Sequence, residues 1–343
     1  MSYMNTTILE SIIAKLLTPA KGLLAIDESN ESCNKRFEVL GVETTQEARR
    51  EYRELLITAP EIEKYVSGYI MYDETIRQTT LDQKRFPDLL KEKGIEVGIK
   101  VDQGLEFFNG SDVEQVTKGL DGLRDRLVEY RALYGATFTK WRVALHIHTD
   151  NGLPSEACMI ENAERLAQYA KIVQEENMVP IIEPEILIEG DHTIDTCYAV
   201  TAKNLDIVFQ KMEERGVVLS ALILKTSMVL SGNRNPAPAS VAQVAQLTIK
   251  CLREHVPHEI GGIVFLSGGQ SSILATQHLN AMHQLDVHIP WPLTFSYSRA
   301  IQHDTLEYWS QHRDDVFTAQ QLLVAWAQKN SLASLGIYES SKS

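Results

Sequence analysis

Short apolar stretches that end in polar or charged residues recur along the whole chain. Most have the length of a β-strand that is buried on both faces. Between most of them lie longer segments whose apolar residues fall at helical spacing. The strand candidates are residues 22–26, 66–72, 97–99, 138–142, 179–182, 219–228, 262–266 and 293–299. The clearest helical segments are residues 46–57, 160–175, 195–214 and 239–255.

The alternation of these elements predicts the fold. Eight strands spaced by roughly 30–45 residues, with helices between them, fit a (β/α)8 TIM barrel, which belongs to the α/β class. An additional N-terminal amphipathic helix is expected over residues 5–18, where Pro19 ends the pattern. No linker or low-complexity tract divides the chain, so we expect residues 1–343 to form a single domain with a short C-terminal tail at 338–343.

Composition and charge argue against several classes of partner. The 343 residues are 44% hydrophobic, which is enough for one large core. With a net charge of −13 and no basic block, neither duplex nucleic acid nor an anionic membrane is an expected partner. No charged segment followed by an apolar core opens the chain, and no apolar run reaches about 18 residues, so we expect a cytoplasmic protein. Four widely spaced cysteines indicate reduced thiols.

A lysine interrupts the sixth apolar stretch near its end, at Lys225. Burial in an apolar strand is costly for a lysine because desolvation disfavours the charged ammonium. The common use of such a position is a nucleophilic amine that condenses with a carbonyl group. The alternative is a lysine at the strand end whose ammonium reaches water.

Charged residues two positions apart on a strand share a face, and three such pairs end the predicted strands. In one barrel mouth with Asp27 and Lys225 they would form a mixed cluster of cations and carboxylates, which would shift one another's pKa values. The alternative is a set of structural ion pairs that tie strands together. The pairs are Lys100 with Asp102, Lys140 with Arg142, and Glu183 with Glu185.

Two places near the strand ends suit phosphate groups. A Ser-Gly-Gly turn, residues 267–269, follows the seventh strand and Arg299 ends the eighth, which is the common phosphate pocket of these barrels. Ser32 and Arg36, after the first strand, could hold a second anion across the mouth. A carbonyl-trapping lysine, carboxylates and phosphate-binding groups together indicate Schiff-base chemistry on a sugar phosphate.

These motifs resemble the class I (Schiff-base) fructose-bisphosphate aldolase family, from the first helix to residue 333. The resemblance implies retro-aldol cleavage of fructose 1,6-bisphosphate in glycolysis and gluconeogenesis by an enzyme without metal or other cofactor, usually a homotetramer. The motifs are Leu24-Ala25-Ile26-Asp27-Glu28-Ser29, Gly98-Ile99-Lys100-Val101-Asp102, Lys140-Trp141-Arg142, Glu183-Pro184-Glu185-Ile186, Leu224-Lys225, and residues 265–270 and 295–299.

The resemblance also implies a role for each site residue. Lys225 would form the Schiff base, Glu183 would be its acid and base, and Asp27 would deprotonate the cleaved hydroxyl. Lys140 and Glu185 would assist, and Arg142 would help to bind substrate. The ketone-side phosphate would be held by Ser267, Gly268, Gly269, Ser296 and Arg299. The distal phosphate would be held by Ser32, Arg36 and Lys100.

The chain departs from the animal pattern of the family at several positions. Glu31 puts an acid beside Ser32, where a glycine is usual, and Ser298 replaces a smaller residue beside the phosphate turn. Gln103 and His146 stand where lysines are common. Past Tyr338 the animal pattern has a longer tail with a terminal tyrosine. We therefore expect deletion of residues 339–343 to change turnover by less than roughly threefold.

Several alternatives remain from sequence alone. Because the departures concern substrate preference, one alternative is a Schiff-base aldolase for another ketose phosphate, such as sedoheptulose 1,7-bisphosphate. A retaining glycosidase would leave Lys225 and the phosphate turn without a role. In a metal aldolase, His146 and His148 could share a face, but no further ligand has matching spacing. A non-catalytic barrel scaffold would not need both Lys225 and Glu183.

Overall fold

Eight parallel strands close into a barrel in the computed structural model, which describes residues 4–339. The order around the barrel is β1-β10-β9-β8-β7-β6-β3-β2, and β4 and β5 form a separate antiparallel pair. The strands are β1 (Gly22–Ile26), β2 (Val66–Met71), β3 (Glu96–Lys100), β4 (Leu105–Phe107), β5 (Gln115–Thr117), β6 (Phe138–Leu145), β7 (Val179–Ile186), β8 (Ile223–Thr226), β9 (Gly262–Phe265) and β10 (Leu293–Tyr297).

Helices follow the strands and surround the barrel, and many begin at a side chain that caps them. Ser155, Thr193 and Ser240 each accept a hydrogen bond from the first turn of the helix that follows, and such caps satisfy an otherwise unpaired backbone donor. The helices are α1 (Thr6–Leu16), α2 (Asn30–Val39), α3 (Gln46–Thr58), α4 (Asp73–Ile76), α5 (Phe86–Glu92), α6 (Leu123–Glu129), α7 (Glu156–Glu175), α8 (Ile194–Glu214), α9 (Val241–His255), α10 (Ser272–His283), α11 (Arg299–Gln311) and α12 (Val316–Ala333).

The predicted TIM barrel with an additional N-terminal helix is confirmed, and the helix is α1. The predicted strand over residues 219–228 is too long, because only Ile223–Thr226 pairs with β7 and β9. Residues Leu219–Ala221 instead form a 3-10 turn, and the Gly261 N–H donates to the carbonyls of Leu219 and Leu222. Within the predicted tail, the N–H of Tyr338 donates to Asn280 Oδ1 at 2.9 Å; residues 340–343 lie outside the described residues.

One end of the barrel interior is filled by apolar side chains and covered by α1. Leu9 and Leu16 of this helix are fully buried against residues that point into the barrel. Glycines on the strands make room for this packing: a Cβ on Gly68 would come 2.7 Å from Leu16 Cδ2, and one on Gly262 2.2 Å from Leu17 Cδ1. The interior residues of this end are Leu23, Ala25, Ile70, Phe138, Val179, Ile181, Ile223 and Val264.

Two further predictions concern the whole chain. All four cysteines are buried free thiols, as expected from their spacing. Among the described helices, none is long and apolar enough to cross a membrane.

Candidate active site

A cavity of about 1220 Å³ opens at the carboxyl ends of the barrel strands. Nearly all predicted site residues line it, because they lie within or just after parallel strands whose carboxyl-terminal parts share one face of the barrel. β6 and β7 extend past their predicted ends at residues 142 and 182, so Lys140 and Glu183 lie within strands rather than at strand ends. Gly269 is the exception; it lies beside the lining residue Gly268. The predicted residues that line the cavity are Asp27, Ser32, Arg36, Lys100, Lys140, Arg142, Glu183, Glu185, Lys225, Ser267, Gly268, Ser296 and Arg299.

Four buried charges form a continuous chain of ion pairs at the floor of the cavity. Lys140 Nζ lies 2.6 Å from Asp27 Oδ2 and 2.9 Å from Glu183 Oε2. Lys225 Nζ lies 3.0 Å from the other oxygen, Glu183 Oε1. Each of the four residues is at most 6% exposed. Two lysines and two carboxylates therefore form one buried network of ion pairs that lines the cavity.

The pKa values in this chain of charges follow from burial and from the neighbouring ions. Burial alone would raise the pKa of Asp27, but the ammonium groups of Lys140 and Lys225 outweigh it and hold the pKa at about 2. In the same way, burial opposes the charge of Glu183 while Lys140 and Lys225 lower its pKa. Burial disfavours the ammonium of Lys140, yet Asp27 and Glu183 together raise its pKa above the ordinary value. At neutral pH both carboxylates and Lys140 are charged.

A second set of charges lies on the rim beside this chain. Arg142 Nε donates to Glu185 Oε2 at 2.6 Å, and the backbone N–H of Arg142 donates to Asp102 Oδ2 at 3.2 Å. Asp102 also accepts from Lys100 Nζ. The three predicted same-face pairs thus lie in one cavity. The Arg142–Glu185 ion pair does join β6 to β7, as the structural interpretation expects. The role of these residues as a site stays a prediction.

The turn after β9 and the end of β10 form a polar corner of the cavity. Gly268 and Gly269 have φ values of +52° and +80°, which favour glycine and turn the backbone sharply. The Ser296 hydroxyl is buried and has no hydrogen-bond partner among residues 4–339. Arg299, the first residue of α11, is exposed and makes no ion pair with the described part of the chain. A free hydroxyl and a free guanidinium beside a glycine turn suit an anionic group.

A second polar corner of the cavity, called the distal corner below, is formed by the first turns of α2 and by Glu28. Arg36 Nη1 donates to both carboxylate oxygens of Glu28 at 2.8 Å, so this predicted phosphate-binding cation already has a counter-ion. The Ser32 hydroxyl accepts a hydrogen bond from Ser29 Oγ at 3.1 Å. Glu31, the acid that departs from the animal pattern, is exposed and pairs with Lys35 at 2.7 Å, which partly neutralises its charge.

The two histidines of the metal-aldolase alternative do share a face. The rings of His146 and His148 stack with centroids 5.8 Å apart. Burial is the main reason that the pKa of His146 is lowered, and His148 adds to it. Residues 4–339 contain no group of three or more potential ligands that could hold a metal ion.

Two residues at or behind the distal corner were missed in the sequence analysis. Glu28 was named only as part of a motif, although it binds Arg36. Arg53 of α3 is 2% exposed and lies near Glu28, with Nη2 3.7 Å from Glu28 Oε2. A signal for it exists, since Arg49 and Arg53 stand four residues apart on the buried face of this amphipathic helix, where apolar residues are usual.

Comparison with known proteins agrees with this geometry. The family model for class-I fructose-bisphosphate aldolase matches residues 8–343. The chain belongs to the class-I fructose-bisphosphate aldolase family. A probable class 1 aldolase from Xanthomonas campestris pv. campestris is 48% identical over 94% of this chain and 95% of its own length. The fructose-bisphosphate aldolase of Dictyostelium discoideum is 41% identical over 99% and 96%.

The fold comparison leads to the same family. The solved structure of fructose-bisphosphate aldolase from Plasmodium falciparum matches this aldolase with a TM-score of 0.95 and 41% identity. The match covers 98% of this chain and 96% of that one. The chain is therefore a lyase of glycolysis that cleaves fructose 1,6-bisphosphate reversibly to dihydroxyacetone phosphate and glyceraldehyde 3-phosphate, and the Schiff-base mechanism is typical of its family.

Proposed function

We propose that Lys225 forms the Schiff base of this aldolase. Glu183 and Asp27 would transfer the protons of the reaction, and Lys140 would stabilise the two carboxylates. The observation that supports this most directly is the buried chain Asp27–Lys140–Glu183–Lys225, with successive ion pairs of 2.6, 2.9 and 3.0 Å. Each of these four side chains lies within 3.0 Å of the next, a distance at which protons can be transferred.

The first step is addition of the Lys225 amine to the ketone carbon of the open-chain sugar. The ammonium must first lose a proton, and Glu183 Oε1 lies 3.0 Å away to accept it. As the amine adds to the carbonyl carbon, one of its protons passes to the carbonyl oxygen, which becomes a hydroxyl. Protonated Glu183 then gives its proton to this hydroxyl, which leaves as water while the C=N bond of the iminium forms. Lys140 beside Glu183 remains charged and stabilises the carboxylate that results.

The second step is cleavage of the carbon–carbon bond next to the iminium. Asp27 removes the proton of the adjoining hydroxyl while the bond breaks, and the electron pair neutralises the iminium to an enamine. A carboxylate with a pKa of about 2 is a weak base, so proton transfer has to accompany bond breaking rather than precede it. Protonation of the enamine carbon and addition of water to the imine then release the second product and free Lys225.

The two polar corners of the cavity would bind the two phosphate groups. We assign the ketone-side phosphate to Ser267, Gly268, Gly269, Ser296 and Arg299, where a buried hydroxyl and a guanidinium lack other partners. We assign the distal phosphate to Ser32, Arg36 and Lys100. Glu185 would orient Arg142 on the rim through their 2.6 Å ion pair, and Arg142 would contact the sugar hydroxyls.

Borohydride trapping tests the covalent step. Reduction in the presence of dihydroxyacetone phosphate should leave one mass adduct on the peptide that contains Lys225. The loss of activity should be proportional to the fraction of this peptide that carries the adduct. Borohydride alone is the control and should leave activity intact. An adduct on another lysine, or no adduct at full loss of activity, would remove Lys225 from the mechanism.

Further properties are proposed from the family. We infer a single domain over residues 1–343, a cytoplasmic location and a homotetramer. One curated relative, from Arabidopsis thaliana, is named cytosolic, and it is 44% identical over 94% of this chain. Light scattering on the purified protein tests the oligomeric state, and a mass of one or two chains would contradict the tetramer.

A further inference from the structure

The buried Arg53 side chain has a nitrogen without a partner. Only 2% of the residue is exposed, and its Nη1 atom has no hydrogen-bond partner in the described part of the chain. Its Nη2 atom lies 3.7 Å from Glu28 Oε2, which is an ion-pair distance but too long for a hydrogen bond. An unsatisfied buried donor destabilises a protein, and a charged one more so, which makes this arrangement costly unless Arg53 finds a partner in another state.

Glu28 contacts both Arg53 and Arg36 of the proposed distal phosphate site. Both of its oxygens accept hydrogen bonds from Arg36, and the side chains of Glu28 and Arg36 are 15% and 18% exposed. A phosphate bound to Arg36 would lie close to this carboxylate. Like charges at such short range repel strongly in a partly buried site, where water screens them less than in bulk. Phosphate binding therefore requires that Glu28 move away or that another cation offset its charge.

The neighbouring groups leave Arg53 as the cation that can do this. Arg49, on the same helix, is already bound to both oxygens of Glu74 at 2.7 and 2.8 Å. Cys33 is a buried thiol whose pKa is raised, chiefly by burial, so it is neutral at pH 7 and does not pair with Arg53. A shift of Glu28 Oε2 by less than about 1 Å would bring it within hydrogen-bond distance of Arg53.

We propose that Arg53 is a positioning residue for the distal phosphate: it takes Glu28 over from Arg36 when the phosphate binds. Glu28 then acts as a counter-ion that is exchanged between two arginines. In the free enzyme it neutralises Arg36, and in the complex it satisfies the donors of Arg53. The inference rests on the proposed function, because it assumes that Arg36 binds the distal phosphate.

The exchange predicts an effect that depends on the substrate. Fructose 1-phosphate lacks the distal phosphate and does not require Glu28 to move, whereas fructose 1,6-bisphosphate does. Replacement of Arg53 by methionine leaves Glu28 paired with Arg36, so the fold keeps that ion pair. The Arg53→Met variant should raise KM for the bisphosphate about tenfold or more. Its KM for fructose 1-phosphate should stay within about twofold of the original, and kcat for both within about threefold.

Three further variants separate this role from a structural one. Arg50→Met removes another arginine of α3 whose ion-pair partners, Glu47 and Glu54, lie on the same helix, and it should leave the ratio of the two KM values unchanged. The double variant Glu28→Gln/Arg53→Met carries no charge to offset, so its KM for the bisphosphate should return to within about threefold of the original. The single variant Glu28→Gln should bind the bisphosphate at least as well as the original protein.

Each contrary outcome has its own meaning. Equal rises in both KM values in Arg53→Met, no recovery in the double variant, or a tenfold rise in Glu28→Gln would each overturn the role of Arg53. If Arg36→Met leaves KM for the bisphosphate unchanged, the assignment of the distal phosphate fails instead. If Arg36→Met raises KM for the bisphosphate and Arg53→Met does not, the assignment of the distal phosphate stands and only the counter-ion exchange is wrong.

Discussion

On four strands of the barrel, the apolar and the charged end of the interior are only two residues apart. Ala25, Phe138, Ile181 and Ile223 fill the end covered by α1, and the residues two positions later are Asp27, Lys140, Glu183 and Lys225. Both sets point into the same barrel, because residues two apart on a strand share a face. One set packs as hydrocarbon and the other forms a chain of ion pairs.

The difference shows how the stability and the chemistry of the barrel are divided. Apolar burial at the covered end contributes roughly 25 cal/mol for each Å² removed from water. The buried ions at the open end gain less, since desolvation offsets much of their attraction. Apolar packing, both at the covered end and between the strands and the surrounding helices, therefore stabilises the barrel more than the ion pairs do. Substitutions at the covered end should mainly affect stability, and substitutions at the open end should mainly affect catalysis.

The largest expected effect is on catalysis at the open end. Lys225→Met should lower kcat at least about 10⁴-fold, or roughly 5 kcal/mol of barrier, because no amine remains to form the imine. Circular dichroism should show an intact fold, since Glu183 keeps its ion pair with Lys140. Ile223→Val, on the same face of β8, is the matched control and should keep kcat within about twofold. Measurable turnover in Lys225→Met would contradict the covalent mechanism.

The next effect is on stability at the covered end. Leu16→Ala in α1 should lower the free energy of unfolding by about 2–5 kcal/mol, because this fully buried side chain closes the barrel. Urea denaturation measures it, and kcat at 25 °C should change by less than about threefold. A large loss of kcat in the folded variant would show that the two ends are coupled.

A smaller effect concerns acid. The folded-state pKa of Asp27, about 2, lies below its ordinary value of 3.8, so the carboxylate stabilises the protein above pH 3.8 and this stabilisation is lost as pH falls towards 2. The stability gap between the original protein and Asp27→Asn should thus shrink by about 2 kcal/mol over that window. The gap to Leu16→Ala involves no titrating group and should stay constant. A stability gap for Asp27→Asn that widens as the pH falls would contradict this prediction.

The smallest expected effect is that of chelation. The iminium at the open end supplies the electron sink that a metal ion would otherwise provide, so prolonged dialysis against a chelator should leave activity within about twofold. Zinc added back serves as the control. A loss that only a divalent ion restores would favour the metal aldolase.

Much of the open end could be predicted from the sequence, because the evidence is local. A period of two places Lys140 with Arg142 and Glu183 with Glu185, and parallel strands bring their carboxyl ends to one face. The missed residues depend on long-range contacts. Arg53 meets Glu28 only because α3 packs beside the loop after β1, and no spacing within α3 predicts that partner.

The alternation of strands and helices, and the charged residues that share a strand face, could be predicted from the sequence alone, since both depend on periods of a few residues. Closure of the barrel decided which charges meet: Lys140 lies between Asp27 and Glu183, and Glu28 holds Arg36. It also decided that β8 begins at Ile223 rather than at residue 219, because a strand extends only where its neighbours offer hydrogen bonds.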